Sequence, residues 1–219
     1  MSSYTSAGTS TSDGPSAIVL IDLYNDFLHQ DGKLYNLLEK TLKEHDTIAH
    51  LHQIVATARK HHIPIYYGLH QQWKPGFYQG WAHMAHVHHS QEESHAFAEG
   101  SWGAQILEGL GPDVLGNGDV VVSKHWNSSS FQSTDLDFLL RQRKIEKLVL
   151  AGMTANTCLE STSRYAYELG YHVTMLKDAT AGWNKEQVDA ATEMIWPLFA
   201  SKVTTTGEWI KTVEEDKGE

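Results

Sequence analysis

Short, unbroken apolar runs alternate along this chain with longer stretches in which apolar residues return at helical spacing. The runs are "AIVLI" (17–21), "IPIYYGL" (63–69), "DVVVS" (119–123), "KLVLAG" (147–152), "HVTMLK" (172–177) and "KVTTT" (202–206). Helical spacing fills 36–62, "TDLDFLLRQRK", the segment from Cys158 to the glycine at 170, and 184–199. Continuous rather than alternating apolar character suits strands buried on both faces. Regular strand–helix alternation implies right-handed crossovers and a parallel sheet. The pattern predicts an α/β fold: three layers, α/β/α, around a doubly wound, Rossmann-like parallel sheet of six strands, in a single domain over 16–219.

One stretch breaks the pattern. Residues 71–100 hold Trp73, Pro75, Gly76, Phe77, Tyr78 and Trp81, then "HMAHVHHSQEESH". An excursion of that length with weak periodicity predicts a lid, a binding loop or a subunit contact.

Composition narrows the class. Of 219 residues, 41% are hydrophobic and 20% charged, as in ordinary globular proteins. The formal charge of −10 argues against binding a nucleic-acid backbone or an anionic membrane surface. A single cysteine excludes an intrachain disulfide framework and agrees with a reducing compartment. The N-terminal 1–15 is polar and small, without a basic or apolar signal region, and reads as a disordered leader. The expected location is cytoplasmic.

In open α/β sheets, ligands bind beyond the carboxyl ends of the strands. The polar residues leaving the predicted strands are Asp22, His70, Lys124, Cys158 (after "GMTANT") and Asp178. "TCLE" has the form of a capping box, with Thr157 as cap, Cys158 as first helical residue and Gly170 as the stop. A thiol at a helix N-terminus is expected to have a lowered pKa and to react well near neutral pH. The alternative is that a lone cysteine is simply a small buried hydrophobe. Asp22 alone reads equally as a turn cap, Lys124 as a solvated strand end, and Asp178 as a cap rather than a catalyst. His83, His86, His88, His89 and His95 crowd together, but no H-E-x-x-H pattern occurs, and surface histidines explain them better than a metal does.

Three segments, "AIVLIDLYNDFL", "VVVSKHW…FQSTDLDFLL" and "LVLAGMTANTCLESTSRYAYELGYHVTMLKDAT", resemble the isochorismatase-like cysteine hydrolases. That group includes nicotinamidases, N-carbamoylsarcosine amidases and ureidoacrylate amidases. The resemblance implies Asp22 as general base, Lys124 as charge-stabilising partner and Cys158 as nucleophile. It also implies a cis peptide at Met153–Thr154 and an oxyanion hole from the Thr154 and Cys158 N–H groups. The implied reaction cleaves a small-molecule C–N bond (amide, ureido or carbamoyl) through a thioester, without a cofactor. The Asp-x-His metal motif of nicotinamidases is missing from "GLHQQWKPG", so no metal is implied. Tyr24, Trp73, Trp81, Trp126 and Phe131 are candidate pocket walls, with core or interface filling as the alternative. The alternative functions are vinyl-ether hydrolysis of the isochorismatase type, which does not need the cysteine, and a non-catalytic binding role. Expected partners are a small-molecule substrate and further copies of the chain, as a dimer or tetramer, with neither nucleic acid nor membrane.

Overall fold

The computed structural model describes residues 14–216; most of the expected leader, 1–13, and the last three residues lie outside that range. Six parallel strands form one sheet: β1 Ser16–Ile21, β2 Ile65–Gly68, β3 Val120–Val121, β4 Lys147–Met153, β5 His172–Ala181 and β6 Lys202–Thr204. Their order is β3-β2-β1-β4-β5-β6. The helices are α1 Asn25–Leu28, α2 Tyr35–Glu44, α3 Thr47–Lys60, α4 His86–Ser94, α5 Leu136–Gln142, α6 Cys158–Glu168, α7 Lys185–Asp189 and α8 Thr206–Asp216. Among the described residues no helix is long and apolar enough to cross a membrane.

The two faces of β1 explain why its run is uniformly apolar. Ile18 and Leu20 pack with Leu38 of α2, Leu51 of α3 and Trp209 of α8. Ala17, Val19 and Ile21 pack with Leu136 of α5, Leu159 of α6 and Val188 of α7. The expected three-layer α/β/α fold is therefore the observed one, with a core on each side of the sheet.

Three local departures have physical reasons. The helical stretch 36–62 breaks into α2 and α3, with Asp46 at φ 49°. Thr41 and Thr47 flank the break and donate hydroxyls to the carbonyls of Gly182 (2.7 Å) and Thr180 (2.9 Å), which ties the turn to the end of β5. The helix expected over 184–199 ends in a tight turn at Trp196–Leu198, where Pro197 has no N–H to continue it. Strand β5 runs past Asp178, whose carboxylate accepts from the Thr206 N–H and hydroxyl (both 2.8 Å). Asp178 thus caps α8, the non-catalytic role foreseen for it.

Strands β1 and β4 are neighbours at the point where the chain reverses its direction of winding. Gly152, at φ 117°, allows their close approach: a Cβ there would sit 2.2 Å from the Ile21 carbonyl oxygen. Gly152→Ala is expected to destabilise the fold by about 3 kcal/mol or more through overlap and backbone strain. Thermal unfolding should show a Tm lower by about 10 °C.

Candidate active site

The crevice at this switch point is where an open α/β sheet binds ligands. Asp22 leaves β1 at φ 54°, a left-handed conformation that aspartate tolerates better than most residues. Its side chain is buried. Oδ1 accepts from the His70 backbone N–H at 2.6 Å and lies 3.2 Å from His125 Nε2. Oδ2 is buried without a conventional partner among the described residues, and the Cys158 thiol is within hydrogen-bonding reach of the carboxylate.

Cys158 is the first residue of α6, and Gly170 ends that helix at φ 88°, both as expected. The capping box does not form. The Thr157 hydroxyl pairs with that of Thr154 at 2.5 Å, and Glu160 binds Arg164 at 3.0 Å. The Met153–Thr154 peptide is cis. Among the described residues the backbone N–H groups of Thr154 and Cys158 donate to no backbone carbonyl, and the Cys158 N–H faces its own sulfur.

The residue facing Asp22 is His125, not Lys124. Tyr67 pairs with Val121, but three residues further along β2 the partner of His70 is His125, four residues further along β3. One extra residue is therefore bulged out between Val121 and His125, and a one-residue shift exchanges which side chain points inward. The bulge has a visible cause. Ser123 turns away to give Asp135, ahead of α5, both its N–H and its hydroxyl at 2.8 Å. Lys124 is left half-buried, with its carbonyl accepting from Gln71 Nε2 at 3.0 Å, and it does not line the cavity.

The hydrogen bonds of His125 define its charge. Nδ1 lies 2.6 Å from the Asn127 carbonyl oxygen, which can only accept. That nitrogen therefore carries a hydrogen, and Nε2 faces a carboxylate. The His125–Asp22 contact needs a proton, which the imidazole or the carboxyl must hold. Burial opposes charge on His125, but the Asp22 charge and hydrogen bond together with the Asn127 carbonyl outweigh it, and the pKa rises. Burial likewise pushes the Asp22 carboxyl up, yet His125, with smaller help from His70 and Cys158, brings it below the ordinary carboxylate value. The pair is an aspartate with an imidazolium. His70 stays neutral, drawn down to about 4 by burial and then by the charge of His125.

The thiol departs from expectation in the opposite sense. Burial first, then the negative Asp22, push the Cys158 pKa well above its ordinary value. These effects exceed the downward pull of the Thr157 hydroxyl and the Cys158 backbone N–H, so Cys158 rests as a thiol with its base beside it.

A cavity of about 400 Å³ opens over this group. Phe27, Leu34, Phe97 and Trp183 line it with Asp22, His70 and Cys158. None of the five aromatic wall candidates does. Tyr24 lies fully buried beneath, stacked on Phe97 at 4.7 Å with its hydroxyl donating to the His70 carbonyl at 2.6 Å. Trp73 stacks on His95 at 3.7 Å and donates to Glu92 at 2.6 Å. Trp81 and Trp126 pack together at 5.5 Å, and Phe131 sits in the core against Tyr171.

Residues 71–100 fold over the cavity, and α4 supplies one of its walls. Gln91 ties the segment together: its amide donates to the carbonyls of Gln71 (3.1 Å) and Ala96 (3.2 Å), and it accepts from the Tyr78 hydroxyl. His88 Nδ1 accepts from the Ala85 N–H at 2.9 Å while Nε2 contacts Asn127 Oδ1 at 2.8 Å, which employs both ring nitrogens. Among the described residues no histidine, cysteine or acidic cluster is placed to hold a metal. Phe97 is held in the wall by buried Asp26, whose Oδ2 accepts from the Phe97 N–H at 2.7 Å and whose Oδ1 accepts from the Lys33 N–H at 3.1 Å. Asp26→Ala should cost about 1–3 kcal/mol by orphaning a buried N–H, and should raise KM more than it lowers kcat.

The family model described as an isochorismatase domain matches residues 16–208. A ureidoacrylate amidohydrolase, RutB, from Enterobacter sp. (strain 638) is 30% identical over 215 residues, covering 91% of this chain and 86% of its own. The crystal structure of a cysteine hydrolase from Pseudomonas syringae pv. phaseolicola 1448A superposes with a TM-score of 0.72 at 25% identity, covering 91% of this chain and 92% of the other. N-carbamoylsarcosine amidase from Thermoplasma acidophilum shares the fold with a TM-score of 0.61 at 23% identity, covering 87% of this chain and 95% of its own. A parallel α/β sheet with its crevice at the β1–β4 switch, and a family match running from the first strand into the last helix, lead to one assignment: the chain belongs to the isochorismatase family of hydrolases.

Proposed function

We propose that this hydrolase cleaves a C–N bond of a small amide, ureide or carbamoyl compound, with Cys158 as nucleophile, Asp22 as proton carrier and the His125 imidazolium in the place foreseen for Lys124. The reading rests chiefly on one observation: the only cysteine sits at a helix N-terminus beside a buried carboxylate that is itself ion-paired. The relatives named for ureidoacrylate and N-carbamoylsarcosine, both C–N substrates, point the same way.

The high thiol pKa means that Cys158 is activated during attack rather than beforehand. Asp22 takes the thiol proton as the sulfur–carbon bond forms. The carbonyl oxygen, now negative, is held by the Thr154 and Cys158 N–H groups. Asp22 passes its proton to the leaving nitrogen, the C–N bond breaks, and ammonia or an amine departs from a thioester. Water then gives a proton to Asp22 as its oxygen bonds to the acyl carbon, the C–S bond breaks, and the thiolate recovers that proton. One water is consumed, and acid and amine are formed. His125 keeps its proton throughout and stabilises Asp22 whenever the carboxylate is ionised, before each proton is taken and after each is given up.

Vinyl-ether hydrolysis would leave Cys158 without a chemical task. The deciding experiment is a screen of amides, ureides and carbamoyl compounds for ammonia release, with mass spectrometry of protein quenched in acid during turnover. An acyl mass on the peptide containing Cys158 is expected. Turnover that continues with Cys158 never modified would overturn the mechanism. Activity is expected to withstand a chelator, and the protein is expected to act as a cytoplasmic homo-oligomer.

A further inference from the structure

The cavity wall is largely apolar. Phe27 and Phe97 pack at 4.9 Å between ring centres, and Trp183 continues the wall 6.3 Å beyond Phe27. Leu37, Val87 and Trp183 line the same cavity while remaining 57%, 48% and 38% exposed. Large apolar side chains held at the mouth of a cavity mark a surface that a ligand covers. Two of the polar side chains on the opposite wall, Gln91 and Asn127, are engaged elsewhere, while His86, Ser90 and Ser128 complete that wall. The Gln91 amide is fully bonded within the excursion, and Asn127 Oδ1 is taken by His88.

No lysine or arginine lines the cavity among the described residues. The His125 imidazolium beneath it is paired to Asp22, and the chain as a whole carries −10. A carboxylate on the substrate would lose its hydration without gaining a lysine or arginine partner, and would meet the field of a negative protein. An aryl or branched alkyl group would bury against Phe27, Leu34, Phe97 and Trp183.

We infer that the substrate of this site is a neutral amide or ureide bearing an aromatic or branched apolar group, seated on Phe27, Phe97 and Trp183, and not a carboxylate-bearing one. This rests on the amidohydrolase reading for its chemistry, but binding tests it independently.

Two primary amides of the same chain length separate the cases: 3-phenylpropanamide, which is neutral and aromatic, and succinamate, which ends in a carboxylate. With the wild-type protein, ammonia release is expected to give a kcat/KM at least 100-fold higher for 3-phenylpropanamide. With Cys158→Ala, calorimetry is expected to show at least tenfold tighter binding of the same compound. Leu37→Arg should narrow the preference at least tenfold by placing a cation at the mouth. Equal or better use of succinamate, or equal binding of the two, overturns the inference while leaving the amidohydrolase reading intact. Selective binding of 3-phenylpropanamide without turnover of any amide supports the inference and removes that reading. No binding and no turnover of either removes the inference, and the amidohydrolase reading is then decided by the wider screen of amides, ureides and carbamoyl compounds.

Discussion

Cys158→Ala is expected to lower kcat/KM for C–N hydrolysis by about ten-thousandfold or more, because it removes the atom that forms the acyl bond. The fold should survive. The substitution deletes one sulfur at the start of α6, where Cys158 packs at the margin of a core otherwise built from aliphatic and aromatic side chains. The packing lost is worth about 1 kcal/mol. Circular dichroism and thermal unfolding therefore separate loss of chemistry from loss of structure, and near-wild-type turnover in this variant would exclude the thioester route. The raised thiol pKa adds a second reading of the same residue. Iodoacetamide should alkylate Cys158 more slowly than an exposed thiol at neutral pH, with a rate that climbs into the alkaline range. Rapid labelling at pH 7 would mean that the thiolate is already formed and that Asp22 is not needed to draw its proton.

His125→Ala should reduce kcat by about a hundredfold to ten-thousandfold. It leaves the ionised Asp22 buried without its counter-charge, so Asp22 holds a proton and can no longer accept one from the thiol. The pH profile tells this role from simple packing. Asp22 has a lowered pKa and His125 a raised one, so the ion pair persists from below the ordinary carboxylate range to above the ordinary histidine value. Activity is expected to follow a bell between limits that belong to the coupled pair. His125→Lys should restore part of the rate and move the alkaline limb up by about four pH units, the interval between the two side chains' reference values. An unmoved limb would mean that His125 does not hold the charge. The same pair affects stability. Its contribution is present above the unfolded aspartate value and below the unfolded histidine value. It is lost as pH falls through the depressed Asp22 value, and again as pH rises through the elevated His125 value.

The sheet was legible because both of its faces are covered, which leaves continuous apolar runs that only strands of that burial produce. Asp22 and Cys158 were legible for a related reason: each is the polar residue released by a central strand at the switch point. His125 was hidden, although it follows Lys124 directly. Its inward position depends on hydrogen bonds between Ser123 and Asp135, twelve residues away, that bulge the edge strand. The thiol pKa was misjudged in sign because the helix terminus is visible in "TCLE" while burial and the charge of a residue from another strand are not. The pocket walls failed by the same measure. Trp73, Trp81 and Trp126 spend their rings on one another's neighbours within the excursion, whereas Phe27 and Leu34 look like ordinary core residues beside α1 and α2.

The bulged residue on β3 has a consequence for where this enzyme can work. A lysine facing Asp22 would keep its proton far into alkaline solution; the imidazole that takes its place lets go much earlier. On the proposed mechanism the upper boundary of the operating pH is thus encoded neither in the acid nor in the nucleophile, but in a count: three residues, instead of two, between Val121 and the partner of His70.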